Sequence, residues 1–197
     1  MSWFWWIVLA LSAVLVFWAV GAYNRLMQLK NQVANAFGQI DVQLKRRYDL
    51  IPNLVEVARK YVQHEAETLE AVIAARQQAQ SAERTAAANP LNAGALGALA
   101  GAEQMLGGAL GRLFAVVEAY PELKADESLR DLHEELTHTE NRIGFARQAY
   151  NDQVLEYNDA ALHFPTIVVA RLLGFHRLDM LAATTSEAER QAPVVRF

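Results

Sequence analysis

Residues 3–22 carry no charged side chain, and no other stretch constrains this chain so tightly. As a helix rising about 1.5 Å per residue, twenty such residues cover the roughly 30 Å hydrocarbon core of a bilayer. Trp3, Trp5 and Trp6 mark one end and Trp18 with Tyr23 the other, where amphipathic rings settle at the two headgroup levels. A transmembrane anchor over residues 1–24 is therefore expected. A cleaved leader would share the small residues Ala19, Gly21 and Ala22, but it needs a basic start, and no Lys or Arg precedes Arg25. Arg25 and Lys30 follow the span at once, Lys45, Arg46 and Arg47 come later, and no acidic residue intervenes before Asp41. The positive-inside rule then predicts a single pass through the cytoplasmic (inner) membrane, with the N-terminus outside and the rest of the chain in the cytoplasm.

About 170 residues remain after the anchor, enough for one domain with a sizeable core. Their mixed charge, net -4 over the whole chain, offers no basic surface to track a phosphate backbone, so nucleic acid is not an expected partner. The absence of Cys removes disulfides, thiolate metal sites, cysteine nucleophiles and a cysteine-linked lipid.

Apolar periodicity supplies the helices. Leu26, Leu29, Val33, Phe37, Ile40 and Leu44 advance in steps of three and four along one face. Asp49 and Pro52 predict a break there with chain reversal, so the first two body helices are placed at 25–48 and 50–88. Asn89-Pro90 ends the second, since a residue before proline resists the α region. Residues 91–111 hold six of the ten glycines and read as a flexible hairpin tip leading into a helix over 102–119. A second span there is disfavoured by Asn92, Glu103 and Gln104. Pro121 ends that helix, and Asp126-Glu127 opens a helix over 125–162. In it Leu129, Leu136, Ile143, Tyr150 and Tyr157 repeat every seven residues, with Leu132, Thr139, Ala146 and Gln153 interleaved. A short apolar helix starts at Thr166 and closes on Gly174 within a segment 166–178, and the polar residues 179–197 read as a mobile tail.

Several of these stretches resemble the LemA family. They are Tyr23-Asn24, the run IDVQLKRRYDLIPNLV over 40–55, His64-Glu65, EAYPELKA over 118–125, TENRIGFAR over 139–147, Tyr150-Asn151, Tyr157-Asn158, Phe164-Pro165 and Gly174-Phe175. The resemblance implies a single-pass, membrane-anchored, antiparallel four-helix bundle over 25–165. It implies no established enzymatic activity.

His64-Glu65 opens like a zinc-protease helix, but the second ligand position is Thr68. Glu135 and His138 have the Glu-x-x-His spacing of di-iron bundles, yet no second pair exists. The glycine-rich stretch lacks the Lys-Ser/Thr ending of a phosphate loop, and no nucleophile elbow occurs. Glu140, Asn141, Arg142, Arg147, Asn151 and Asn158 sit among the heptad positions and are expected to form a buried polar network that fixes helix register. The expected function is a non-catalytic, self-assembling scaffold or partner-recruiting factor, homo-oligomeric and held in the bilayer by residues 3–22. No catalytic, cofactor-binding or metal residue is assigned. The alternative is a metal- or ligand-binding sensor or enzyme built on Glu135 and His138.

Overall fold

A computed structural model describes residues 2–62 and 65–181. These fold as α1 (Ser2–Arg59), α2 (Ala66–Ala88), α3 (Ala93–Ala119), α4 (Pro121–Lys124), α5 (Glu127–Leu162) and α6 (Thr166–Leu172), with no strand among them. The fold is all-α, as the periodicities predict. α1 packs along α5 and α2, α2 packs along α3, and α6 lies against α5 and α1. Pairs such as Phe37 with Tyr150 and Arg47 with Glu140 fix α5 antiparallel to α1, and Arg76 with Tyr48 and Lys45 with Glu83 do the same for α2.

With 58 residues, α1 is about 87 Å long. Residues 3–18 touch little else and stand exposed on every side, an apolar rod long enough to cross a membrane. From Leu26 onward the same helix becomes the central element of the core, and Leu26, Leu29, Val33, Phe37, Ile40 and Leu44 are all buried.

The expected reversal at Asp49 and Pro52 does not occur, because α1 runs through the proline to Arg59. Proline inside a helix removes an N–H and so strands the carbonyl four residues earlier, at a cost of about 3 kcal/mol. Here that carbonyl belongs to Tyr48, and Arg76 of α2 donates its Nε–H to it at 2.6 Å. A neighbouring helix thus supplies the donor that proline lacks. The apolar stripe also passes the proline without losing step, through Tyr48, Ile51, Val55 and Ala58, all buried. Reversal falls instead between Arg59 and Ala66, and the expected helix 50–88 is divided between the end of α1 and α2.

Residues 91–111 are a second correction: most of this stretch is helical, and α3 begins at Ala93, with the Asn92 side chain accepting the Ala95 N–H at 2.9 Å. Glycine lowers helix propensity by about 1 kcal/mol per residue, but tertiary packing of an apolar face overrides it. Leu96, Leu99, Leu106, Leu110, Leu113 and Val117 form that face and are buried. A Cβ at Gly97, Gly101, Gly107, Gly108 or Gly111 would meet nothing within 4 Å among the described residues, so these glycines serve no close approach there.

Along α5 the heptad behaves as expected, with Leu129, Leu136, Ile143, Tyr150 and Tyr157 buried. Asp126 caps it, accepting the Leu129 N–H at 3.0 Å. The Tyr61 hydroxyl donates to the same carboxylate at 2.9 Å and ties the end of α1 to the start of α5. Gly174 terminates α6 with φ +73°, a conformation that suits glycine. The Phe175 N–H returns to the Ala170 carbonyl at 2.9 Å, the six-to-one bond of a Schellman cap. Past the cap, residues 175–181 are not helix but an extended strap along α5, so the apolar helix is shorter than the 166–178 segment. The tail expected from residue 179 is tethered as far as Leu181, and residues 182–197 lie outside the described residues.

If Arg76 replaces the missing proline donor, Arg76→Met costs about 1–3 kcal/mol of stability in the native background. In a Pro52→Ala background residue 52 regains its N–H and the same substitution costs clearly less. A double-mutant cycle by denaturant unfolding measures the difference; equal costs in both backgrounds exclude the compensation.

Candidate functional site

One polar layer crosses the helices at the level of Arg47. This side chain, 11 % exposed, lies 2.8 Å from Glu103 of α3 and 2.7 Å from Glu140 of α5. The Tyr48 hydroxyl donates to the second Glu103 oxygen at 2.6 Å, and Arg147 stands 3.7 Å from Glu140. Unpaired burial of such charges would cost several kcal/mol, so each is met by an opposite charge or a hydrogen bond. Burial raises the Glu103 carboxyl above its ordinary range despite the opposing pull of Arg47 and Tyr48. Burial, reinforced by the Glu103 charge, raises the Tyr48 phenol and keeps it a donor.

A second cluster adjoins it between α1 and α2. Lys45 lies 2.7 Å from Asp41 Oδ2 but 3.6 Å from Glu83 Oε1, too far to donate a hydrogen bond to Glu83. The Glu83 side chain is only 2 % exposed. Asp41 Oδ1 and Glu83 Oε1 are both buried with no donor, the pattern of two carboxyls that share a proton. Burial first, then the bond to Asp41, pushes Glu83 up to about 7, so of the two carboxyls Glu83 is the one that holds a proton below neutral pH. Burial works to raise Asp41 as well, but hydrogen bonds from Glu83 and Lys45 outweigh it and hold Asp41 below its usual range.

Two asparagines of α5 do a different job. Asn158 donates to the Leu178 carbonyl and accepts the Leu178 N–H, both at 2.9 Å. Asn151, two turns earlier, pairs with Leu181 in the same way at 3.0 and 2.9 Å. Seven helical residues and three extended ones both span about 10 Å, so the heptad spacing matches the strap. The Tyr157 hydroxyl adds a bond to the His176 carbonyl at 3.0 Å. Amide side chains satisfy backbone groups that a helix-free strap would otherwise leave unpaired.

The description of the LemA family matches residues 36–197. This chain belongs to that family. Curated relatives include Magnetosome protein MamQ of Magnetospirillum gryphiswaldense, 36 % identical over 86 residues, and Magnetosome protein MamQ 2 of Paramagnetospirillum magneticum, 37 % identical over 82 residues. The matches cover 44 % and 42 % of this chain, and 32 % and 30 % of the relatives' lengths. The family and these relatives are not known as enzymes, and with the apolar start of α1 they point to a membrane-associated protein.

In this LemA-family chain the residues of the expected polar network divide. Glu140 and Arg147 join the layer, Asn151 and Asn158 clamp the strap, and Asn141 and Arg142 face outward. Glu135 is held by Arg46, while His138 Nε2 lies 3.4 Å from Glu134, so the two residues of the Glu-x-x-His spacing serve different partners. Among the described residues no group of three or more His, Asp or Glu side chains is placed to hold a metal ion. His64 lies outside the described residues. A cleft of about 530 Å³ opens between the end of α3 and the start of α5, where the rings of Phe114 and His133 meet edge to face at 4.3 Å.

The sequence reading did not single out Arg47 and Glu103 of the layer, nor Asp41, Lys45 and Glu83 of the second cluster. One signal was present: Ala79, Glu83 and Ala86 fall at helical spacing, which places Glu83 on the buried stripe of α2.

Glu83 binds more protons folded than unfolded between its ordinary pKa of 4.5 and about 7, so its contribution to stability falls as pH rises through that window. Asp41, held below 3.8, acts only in more acidic solution and with the opposite sign. Glu83→Gln is expected to raise stability at pH 8 by roughly 1–3 kcal/mol and to flatten the decline between pH 5 and 8 in thermal unfolding. An unchanged pH profile rules out the shared proton. For the strap, Asn158→Ala and Asn151→Ala should speed hydrogen exchange at the Leu178 and Leu181 amides at least tenfold while the helix cores stay protected. Exchange rates equal to wild type remove the clamp.

Proposed function

We propose that this protein is a non-catalytic, single-pass scaffold at the inner face of the cytoplasmic membrane, with its N-terminus outside. The observation that carries the reading is the unbroken α1, which is at once an apolar rod and the central core helix. Without a hinge between anchor and body, the helical body is held at a fixed attitude to the bilayer. Such a rigid mount suits a protein that presents a surface and has less to offer a diffusing catalyst. The polar layer supports the same reading, since its charges answer one another and its burial leaves little room for a substrate.

The surface presented is the outer face of α3. Gly97, Gly101, Gly108 and Gly111 fall at helical spacing and are exposed, a stripe on which the backbone of a second helix can approach closely. A second copy of the chain is the proposed occupant, giving a homo-oligomer. Because none of the described residues lies within 4 Å of the missing Cβ atoms, Gly101→Leu and Gly108→Leu should leave monomer stability equal or higher. The same substitutions should shift the full-length protein in mild detergent from a discrete oligomer toward monomer, as read by light scattering. A wild-type protein that is strictly monomeric, or an oligomer indifferent to both substitutions, sinks the proposal. Topology is tested separately with single cysteines at either end of α1 and a membrane-impermeant maleimide in intact cells. Reaction at residue 2 but not at residue 60 is the expected result.

A further inference from the structure

Helix α6 is the least explained element of the body. Val169 and Ala170 are buried, but Val168, Leu172 and Leu173 face outward together with Phe164 just ahead of the helix. Leu172 is 79 % exposed and Phe164 83 %, more than any buried helix face or ordinary surface leucine requires. Adjacent exposed apolar residues of this kind need an occupant.

The position of α6 on α1 identifies it. At one end, the Phe175 ring that follows the helix meets the Tyr23 ring at 5.6 Å, with the Lys30 ammonium 5.9 Å from the same ring. At the other, Thr166 and His163 share a pocket with Arg25. Tyr23, Arg25 and Lys30 span about 10 Å of the α1 axis. Both ends of α6 therefore pack within the first two turns of α1 that follow the uncharged segment 3–22.

We propose that α6 lies flat in the headgroup layer of the membrane that α1 spans, with Phe164, Val168, Leu172 and Leu173 inserted among the acyl chains of the cytoplasmic leaflet. This rests on the anchoring of α1 proposed above. An amphipathic helix in the interface plane buries its apolar face at the acyl boundary and keeps basic residues at the headgroups. Arg171 and Arg177 flank the apolar residues, while the acidic Glu156 and Asp159 line the pocket with Arg25, His163 and Thr166. Buried Val169 and Ala170 hold the helix to the body, so the body contacts the bilayer at a second point besides the span. The Schellman cap at Gly174 then turns the chain away from the membrane, and the strap climbs α5 to the Asn158 and Asn151 clamps.

Because the chain contains no Cys, single substitutions label one site cleanly. The full-length protein carries a polarity-sensitive dye at Leu172→Cys, at Val14→Cys within the span, or at Met105→Cys on the exposed face of α3. Each is placed at one copy per nanodisc of phosphatidylethanolamine and phosphatidylglycerol, with and without lipids spin-labelled along the acyl chain. The expected result is quenching at residue 172 comparable to that at residue 14 and at least threefold that at residue 105. Quenching at 14 with none at 172 overturns the inference and leaves the anchor standing. If 172 is silent in the disc but becomes buried when copies associate, the surface belongs to a second copy and the inference is equally overturned. No quenching at 14 removes the anchor, and the proposal for α6 falls with it.

Discussion

A single hydrogen bond, from Arg76 to the Tyr48 carbonyl, allows α1 to be what the rest of the molecule uses it for. Pro52 would ordinarily end or kink a helix at this point, and a kink would separate most of α1 from its final two turns. With the carbonyl satisfied from α2, the apolar stripe stays in phase from Leu26 to Ala58. α5 needs a long straight partner for its heptads, and α2 needs the final turns of α1 to reverse against.

The same level of the molecule gathers its buried charges. Arg47 and Tyr48 sit within a turn of the stranded carbonyl and reach α3 and α5, while Asp41 and Lys45 reach α2. Helices made largely of Ala, Leu and Gly slide easily along one another, because small apolar residues specify register weakly. Buried ion pairs penalise every wrong register, since a slip leaves a charge unanswered in a low-dielectric interior. The polar layer is thus a physical reason for α3, with its many glycines, to adopt one position. At the far end of the body the Asn clamps act in the same manner on a segment that has no helical bonds of its own.

Much of this was legible in the chain. The membrane-length segment, the stripe from Leu26 to Leu44, the heptads of α5, the Asp126 cap and the Gly174 terminus are local patterns, and each is found where its pattern places it. The errors fell where a local signal and a distant partner disagree. Pro52 signals a break, and only Arg76, 24 positions later, cancels it. The glycines of 91–111 signal a loop, and the leucines between them outweigh that signal once α2 covers their face. Asn151 and Asn158 looked like core polar residues, but their partners are backbone groups of a strap that lacks helical periodicity.

An uncharged stretch of membrane length joined to amphipathic helices can be read directly from the chain, because hydrophobic periodicity and charge depend only on residues near one another along it. The continuity of α1, the burial of Glu83 beside Asp41 and Lys45, and the packing of α6 against α1 came only from the fold. Each of these depends on groups that are far apart in the chain and within a few ångströms in space. A donor for a stranded carbonyl, a second carboxyl beside a buried one, and the height of one helix on another are properties of packing, which no local pattern encodes.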